Sequence, residues 1–309
     1  MNKVLYIILI SLLSFTVISC AKKDESTDAT TTTSSGLYVA VGYTGTILTS
    51  TDATTWTSRT SGTSNNLWAH SSGNGVSIIV GDNGTILTST DATTWTSGTS
   101  GTSNHLYGVT YGNSTLIIVG DNGTILTSTD ATTWTSRTSG TTSKWIDAPI
   151  YKNSTFMTIG QDGMILTSTD GTTWTSRTSG TSNDFYDVTY GNSTFVAVGD
   201  SGQIFTSSDG TSWDNRTSGT TNDLTGVDYG NSTFVAVGMN GTILSSADGI
   251  TWTSRTSGTT VGFTGFDYGN SIFVAVGYSG LISTSTDGIT WTSRTSGTSI
   301  QLTGVDYKE

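Results

Sequence analysis

The stretch that decides the fold is residues 224–256, which read LTGVDYGNSTFVAVGMNGTILSSADGITWTSRT. It contains four runs with β-strand character, separated by the turn-forming triplets GNS, MNG and ADG. Strand B of this unit is apolar at consecutive positions, from Phe234 to Val237, so both of its faces must be covered. We call the four strands A, B, C and D, at residues 224–229, 233–238, 242–246 and 251–256.

Copies of this unit recur seven times, and each is marked by a tryptophan at the start of strand D. Successive tryptophans are separated by 39, 39, 40, 39, 39 and 39 residues. A period of about forty residues with four short strands is typical of a β-propeller blade, which buries its faces only by stacking on neighbours around a ring. The seven tryptophans are Trp56, Trp95, Trp134, Trp174, Trp213, Trp252 and Trp291.

The two ends of the array together complete one blade. The first copy begins at Gly36 with strand B and lacks strand A, whereas the chain finishes with an additional strand A at residues 302–307 (LTGVDY). Pairing of the last strand with the first blade closes the ring and removes exposed sheet edges at the join. The sequence therefore predicts one all-β domain over residues 36–309, a seven-bladed β-propeller of four-stranded antiparallel blades.

Residues 1–19 have the character of a signal peptide. Lys3 is followed by an apolar-rich run, residues 4–18, which is too short to span a bilayer. The sequence VISC at residues 17–20 resembles the lipobox of bacterial lipoproteins. That resemblance implies that Cys20, the only cysteine of the chain, is lipidated and becomes the first residue of the mature protein. An uncleaved signal anchor or an incidental cysteine are the alternatives.

Residues 20–35 are polar and have nothing to bury, so they are expected to form a flexible tether between the lipidated cysteine and the propeller. A lipoprotein of this kind would lie in the bacterial cell envelope, anchored outside the cytoplasm and either periplasmic or surface-exposed. Membrane lipid, bound through Cys20, is therefore the first expected partner.

The composition excludes one class of partner. The sequence has 12 basic and 23 acidic side chains and a net charge of −11. Such a chain is repelled by nucleic acid and by anionic lipid surfaces.

The two histidines, His70 and His105, have no neighbouring cysteine and no His-x-x-x-His spacing, which argues against a transition-metal site. We expect a monomer without a cofactor and without a nucleic-acid partner.

The phrase that precedes each tryptophan resembles the Asp-box of bacterial neuraminidase repeats, although each copy is one residue shorter between Asp and Trp. The resemblance implies a structural turn between strands C and D, in which the Asp side chain accepts hydrogen bonds from turn amides. Three copies have alanine after the aspartate, so we expect this position not to need a positive φ. The structural aspartates are Asp52, Asp91, Asp130, Asp170, Asp209, Asp248 and Asp287.

The same resemblance makes a sialidase-like glycoside hydrolase the alternative function. Sialidases use a tyrosine nucleophile with a glutamate partner. The only glutamates of the chain are Glu25, in the tether, and Glu309, at the end. We therefore expect no enzyme and no catalytic residues. The chain also resembles the photosystem II assembly-factor propellers, which implies a partner-binding role without catalysis.

Differences between the copies predict where a ligand binds. The D-to-A segments and B-to-C turns emerge at one end of the ring and differ between blades, whereas the other end is nearly uniform. Aromatic residues in blades 2 to 5 and threonines in blades 6, 7 and 1 are expected to form an aromatic arc and a hydroxyl arc around the channel mouth, suited to a peptide, protein or glycan. The alternative is that the rings fill gaps between blades. The predicted ligand-binding residues are Trp68, Tyr107, Trp145, Tyr186, Asp82, Asp121 and Asp200, and the threonines are Thr225, Thr264 and Thr303.

Three aspartates near the other end of strand A form a second candidate site. Asp228, Asp267 and Asp306 occupy the same position in blades 6, 7 and 1. Their oxygens are hard ligands, so a weak cation site is one hypothesis. Solvated strand ends are the other.

Overall fold

A computed structural model describes residues 36–142 and 145–308, which form strands joined by short turns. In chain order the strands are β1 (Leu37–Gly42), β2 (Ile47–Ser50), β3 (Thr57–Arg59), β4 (Leu67–Gly73), β5 (Val76–Gly81), β6 (Thr85–Ser89), β7 (Thr96–Thr99), β8 (Leu106–Gly112), β9 (Thr115–Gly120), β10 (Thr124–Ser128), β11 (Thr135–Arg137), β12 (Ile146–Lys152), β13 (Thr155–Gly160), β14 (Ile165–Ser168), β15 (Thr175–Arg177), β16 (Phe185–Gly191), β17 (Thr194–Gly199), β18 (Ile204–Ser207), β19 (Asp214–Arg216), β20 (Leu224–Gly230), β21 (Thr233–Gly238), β22 (Ile243–Ser246), β23 (Thr253–Arg255), β24 (Phe263–Gly269), β25 (Ile272–Gly277), β26 (Ile282–Ser285), β27 (Thr292–Arg294) and β28 (Leu302–Lys308).

These strands form seven four-stranded antiparallel sheets, which are the blades of a propeller. Blade 1 has the order β28, β1, β2 and β3, and each later blade takes the next four strands of the chain. In the closing pair, Val39 lies opposite Asp306 and Ala40 lies opposite Val305. Both the seven-bladed fold and its closure by the last strand are therefore confirmed.

Strand A of every blade lies innermost and contacts strand A of the next blade around the central channel. Strand B is buried from its second residue to its last in all seven blades. The core consists of seven apolar layers, each made by two neighbouring blades and each contacted by one of the repeated tryptophans. Among the described residues, no helix has the length and apolar character needed to cross a membrane.

A close approach between blades requires glycine at the end of strand A. The ring of Tyr229 lies so near Gly191, in the preceding blade, that a Cβ atom at position 191 would overlap it. Tyr151 occupies the same place over Gly112. A side chain at either glycine would therefore force the two inner strands apart.

Each turn between strands C and D is built around its aspartate, and we call these seven turns the Asp turns. Asp130 accepts hydrogen bonds from the N–H groups of Thr132 and Thr133 at 2.8 and 2.7 Å and from the hydroxyl of Ser128 at 2.9 Å. Donors of this kind favour the ionised carboxylate. They lower the pKa of Asp52, for example, to about 2.

The expectation that the residue after the aspartate does not need a positive φ is wrong. Ala53, Ala92 and Ala131 have φ values of 55°, 55° and 60°, in the same left-handed region as the glycines of the other copies. The N–H of Ala131 donates to the Ser128 hydroxyl at 2.9 Å, which helps to fix this conformation. The hydrogen bonds of the turn therefore hold alanine in a region that usually costs an L-residue about 1–2 kcal/mol.

Candidate functional site

The central channel opens into a cavity of about 400 Å³ at the end of the ring that carries the D-to-A segments and B-to-C turns. We call this end the variable face. Strand A of every blade contributes to the wall of the cavity. Larger grooves of about 810 and 750 Å³ lie between neighbouring blades, but they are lined mainly by the repeated Ser, Thr and Gly residues. The central cavity is distinguished by its aromatic residues, Tyr43, Trp68, Tyr107, Tyr186, Phe266 and Tyr278.

Two of the aromatic residues predicted from the sequence donate hydrogen bonds to aspartates that were predicted with them. The Trp68 indole N–H donates to Asp82 at 2.7 Å, and the Tyr186 hydroxyl donates to Asp200 at 2.6 Å. These hydrogen bonds fix the orientation of the rings at the mouth of the cavity. The hydrogen-bonded pairs are Trp68–Asp82 in blade 2 and Tyr186–Asp200 in blade 5, and in blade 3 Tyr107 lies near Asp121.

The aromatic side chains form two groups at the mouth. The Trp68 ring contacts Tyr43 and Tyr107 edge to face, with ring centroids 5.7 and 5.5 Å apart. Trp145 stacks on Tyr186 with centroids 5.8 Å apart and an angle of 3° between the rings. None of these five rings belongs to the seven described apolar layers. They lie outside these layers, and their contacts join neighbouring blades at the mouth of the channel.

The threonines of the opposite arc line the cavity, and their hydroxyl groups form hydrogen bonds between blades. Their hydroxyl groups donate to backbone carbonyl groups at the start of strand A of the next blade. These hydroxyl protons are donated within the propeller, so the hydroxyl arc has few donors left for a ligand. The bonds run from Thr225 to Phe263 at 2.9 Å, from Thr264 to Leu302 at 2.5 Å and from Thr303 to Leu67 at 2.6 Å.

Five aromatic or acidic cavity residues were missed by sequence reasoning, and one of them, Phe266, lies on strand A of blade 7. Tyr43 and Tyr278 come from the B-to-C turns of blades 1 and 7, at the turn position that holds aspartate in blades 2, 3 and 5. The change from aspartate to tyrosine at this turn position was a signal in the sequence, because it places aromatic rings where the turn meets the mouth of the channel. Asp147 and Asp187 lie on strand A of blades 4 and 5, and no such aspartate occurs at these positions in the other copies.

Asp147 and Asp187 are desolvated carboxyl groups in the wall of the cavity. Asp147 accepts a hydrogen bond from the Ala148 N–H at 2.7 Å. Asp187 accepts bonds from the N–H groups of Val188 and Val227, each at 2.8 Å. Burial raises the pKa of Asp147 to about 6. Burial also raises the pKa of Asp187 well above its usual value, and repulsion from nearby carboxylates adds to the shift.

The three aspartates of the second candidate site connect neighbouring blades. Asp228 accepts a bond from the Tyr268 N–H, and Asp267 accepts one from the Tyr307 N–H, both at 2.8 Å. These N–H groups lie on strand A of the next blade, so the carboxylates satisfy donors on the innermost strands. Among the described residues, no group of three or more His, Cys, Asp or Glu is placed to hold a metal ion. A cation site here stays a prediction that this geometry does not favour.

Asp306 continues the same pattern with a side-chain partner. Its Oδ2 atom lies 2.8 Å from Nδ1 of His70, which is fully buried in blade 2. The contact joins the closing strand β28 to strand β4 of the next blade. Each of these carboxylates therefore links its own blade to the following one.

Comparisons with known proteins support the fold. No protein-family model matches this sequence, and no curated protein sequence matches it. Among solved structures, YCF48 bound to D1 peptide matches with a TM-score of 0.59 and 20% identity, over 74% of this chain and 80% of that one. YCF48 from Cyanidioschyzon merolae matches with a TM-score of 0.64 and 17% identity, over 79% and 89%. The computationally designed Ika8 protein matches with a TM-score of 0.65 and 14% identity, over 88% and 87%.

Proposed function

We propose that this chain is a non-catalytic binding propeller, which holds a peptide segment of a partner protein in the cavity at its variable face. The observation that carries the proposal is the cavity itself, where rings from several blades converge on the mouth of a channel of about 400 Å³. A wall of aromatic groups with a few fixed polar groups is the usual composition of a ligand site. One of the similar propellers binds a peptide, which supports the same class of ligand here.

The polar groups of the cavity favour a peptide over a glycan. A sugar presents many hydroxyl groups, so its site needs many free donors and acceptors around the ring. Here the Trp68 and Tyr186 donors are already bonded to aspartates, and the Thr264 hydroxyl is bonded to a backbone carbonyl. The remaining surface combines aromatic rings with carboxyl and backbone groups, which suits the side chains and main chain of a peptide.

A pair of tryptophan variants tests the site. In the full chain, Trp68→Ala combined with Tyr107→Ala should abolish retention on a peptide array and lower the stability by only about 1 kcal/mol, because these rings lie outside the apolar layers. The matched control Trp134→Ala removes a ring from an apolar layer. It should cost roughly 3 kcal/mol and leave peptide affinity unchanged. Retention on a glycan array alone would replace the peptide by a sugar, and an unchanged peptide affinity in the double variant would reject the site.

The absence of catalysis is part of the proposal. Residues 36–308 contain no glutamate, so the described part of the propeller has none to activate a tyrosine nucleophile. Burial and nearby aspartates raise the pKa of Tyr107 and Tyr186, which keeps their hydroxyl groups protonated. Release of the fluorophore from a fluorogenic sialoside by the purified chain would contradict this part of the proposal.

We also propose that Cys20 is lipidated and anchors the protein to a membrane outside the cytoplasm, in the cell envelope of a bacterium. Cys20 and the tether lie outside the described residues, so the proposal is supported by the VISC sequence and the uniqueness of the cysteine. Cys20→Ser should leave the precursor unprocessed or release the protein into the soluble fraction. Membrane fractionation that finds the variant processed and anchored as before would reject lipidation.

A further inference from the structure

The cavity at the variable face combines aromatic rings with carboxyl groups and has no basic residue in its described lining. Asp147 and Asp187 both contribute to its wall, on strand A of blades 4 and 5. The six arginines of the propeller lie on the outermost strands, where each Nε–H donates to a hydroxyl group on strand C, as Arg216 does to Thr206 at 2.8 Å. The described lining of the cavity therefore carries two carboxyl groups and no positive side chain.

The hydrogen bonds of the two carboxyl groups leave part of their capacity unused. A carboxylate can accept about four hydrogen bonds. Asp147 accepts one from Ala148, and Asp187 accepts two, from Val188 and Val227. Removing a carboxylate from water without a paired charge is costly. A cation that entered the cavity would supply the missing partner for both groups.

The rings at the mouth are suited to the same type of ligand. Cations are attracted to the faces of tryptophan and tyrosine rings, and the attraction is stronger where water is excluded. The hydroxyl of Tyr186 and the indole N–H of Trp68 donate to aspartates, so their positive ends point away from a ligand and toward Asp200 and Asp82. The rings and the two carboxyl groups of the same cavity therefore both favour a positive group.

We propose that the cavity recognises a positively charged group of a peptide, which passes between the aromatic rings at the mouth and pairs with Asp147 and Asp187. The group is either a lysine or arginine side chain or a free amino terminus, since these share the chemistry that the cavity complements. This inference rests on the proposed peptide-binding function and adds the charge of the ligand to it. A metal ion is a poorer fit, because no described group of three ligating side chains is placed to hold one.

The experiment uses the immobilised full chain and a library of random twelve-residue peptides. We expect the enriched peptides to share a lysine, an arginine or a positively charged amino terminus. Synthetic versions with lysine replaced by acetyl-lysine, with arginine replaced by citrulline, or with an acetylated amino terminus then identify which group is read. Loss of that single charge should weaken binding at least tenfold.

Protein variants place the cation in the cavity. Asp147→Asn keeps an oxygen that can accept the Ala148 N–H, so it removes charge with little effect on the backbone. Asp147→Asn and Asp187→Asn should each weaken the charged peptide about tenfold and leave the neutralised peptide unaffected. The matched control is Asp214→Asn, which removes the same charge from the exposed outer strand β19. It should leave both affinities unchanged.

The outcomes separate the two proposals. Enrichment of neutral or acidic peptides, or equal effects of Asp147→Asn and Asp214→Asn, would overturn the cationic ligand and leave peptide binding in place. Failure of the library to enrich any peptide would overturn the peptide-binding function as well. If Asp187→Asn alone fails to fold, the Asp147→Asn result decides the inference.

Discussion

The Asp turns and the channel aspartates place the same side chain in opposite environments. In the Asp turns, each carboxylate lies at the surface and accepts two N–H groups and a hydroxyl from its own turn, and its pKa is lowered. In the channel, Asp147, Asp187, Asp228 and Asp267 are desolvated, and their pKa values are raised. The carboxylates of the Asp turns are ionised and find their hydrogen-bond donors within a few residues of chain, whereas the burial of the channel aspartates depends on the assembled propeller.

This difference shows where function can be accommodated in a repeat protein. The Asp turns satisfy their hydrogen bonds locally, so they can be copied seven times and tolerate either alanine or glycine after the aspartate. Asp187, Asp228 and Asp267 accept donors from the following blade, whereas Asp147 accepts one from Ala148 in its own blade. Asp147 and Asp187 also face a cavity. A carboxyl group that the scaffold positions but that keeps unused hydrogen-bond capacity is free to recognise a ligand.

The largest expected effect comes from opening the ring of blades, on which the burial of the channel aspartates depends. Truncation after Ser299 removes strand β28, with the buried Leu302 and Val305 and the carboxylate of Asp306. It also exposes Tyr38, which is fully buried. Each large apolar group is worth roughly 1.5–3 kcal/mol, so the loss approaches the whole stability of a typical domain. We expect the truncated chain to melt far below the full one or not to fold.

The control for the truncation is Lys308→Ala, which keeps the closing strand and removes only the side chain that donates to the Thr90 carbonyl. It should melt within a few degrees of the parent protein. Thermal unfolding followed by circular dichroism measures both variants. Equal melting of the truncated and full-length chains would show that closure by β28 does not hold the channel together.

The two sets of aspartates should respond to pH with opposite signs. The pKa of Asp147 is raised to about 6 in the folded chain, above an unfolded value near 4, so its stabilising contribution is present below about pH 4 and is lost as the pH rises through 6. The pKa of Asp52 is lowered to about 2, so its contribution is present above about pH 4 and is lost as the pH falls through 2.

Asparagine variants measure this contrast by urea unfolding at several pH values. Between pH 4 and pH 7.5, the free energy of unfolding of Asp147→Asn should rise by about 1–2 kcal/mol relative to that of the parent protein, with allowance for screening by water in the channel. Asp52→Asn should be destabilised at pH 7.5, and the difference should shrink toward pH 2. If Asp147→Asn destabilised the protein equally at both pH values, the carboxyl group would not be desolvated and the contrast would fail.

Calcium tests the second use of the channel carboxylates. The oxygens of Asp228 and Asp267 already accept N–H groups from the next blade, and Asp306 is paired with His70. We therefore expect millimolar calcium to change the melting temperature little. A real site would add about 1.4 kcal/mol at a tenfold excess of calcium over its Kd. A calcium-dependent rise that disappeared when all three aspartates were changed to asparagine would establish the cation site.

The repeated features of this protein could be predicted from the sequence because they depend on local or periodic patterns. The spacing of Trp56 and its six equivalents predicts the blades, and the additional strand A at the end predicts the closure, both of which are confirmed. Trp68, Tyr107 and Tyr186 were found as departures from the repeat, whereas Tyr43 and Tyr278 were missed. Asp147 and Asp187 were not found, because their environment comes from neighbouring blades and no local pattern marks a desolvated side chain.

The smallest expected effect tests how strongly the Asp turn determines its own backbone. Ala131 is buried and has a φ of 60°, so Ala131→Gly relieves strain of about 1–2 kcal/mol. The change also removes a buried methyl group, worth about 0.8 kcal/mol, and adds about 0.5–1 kcal/mol of backbone entropy to the unfolded chain. These effects nearly cancel, and urea unfolding should find a change within about 0.5 kcal/mol. The reverse change, Gly171→Ala, should cost about 1 kcal/mol, because its Cβ would lie 3.1 Å from Cδ1 of Ile117. A gain above 1 kcal/mol for Ala131→Gly would show that the turn hydrogen bonds hold alanine there without compensation from its packing.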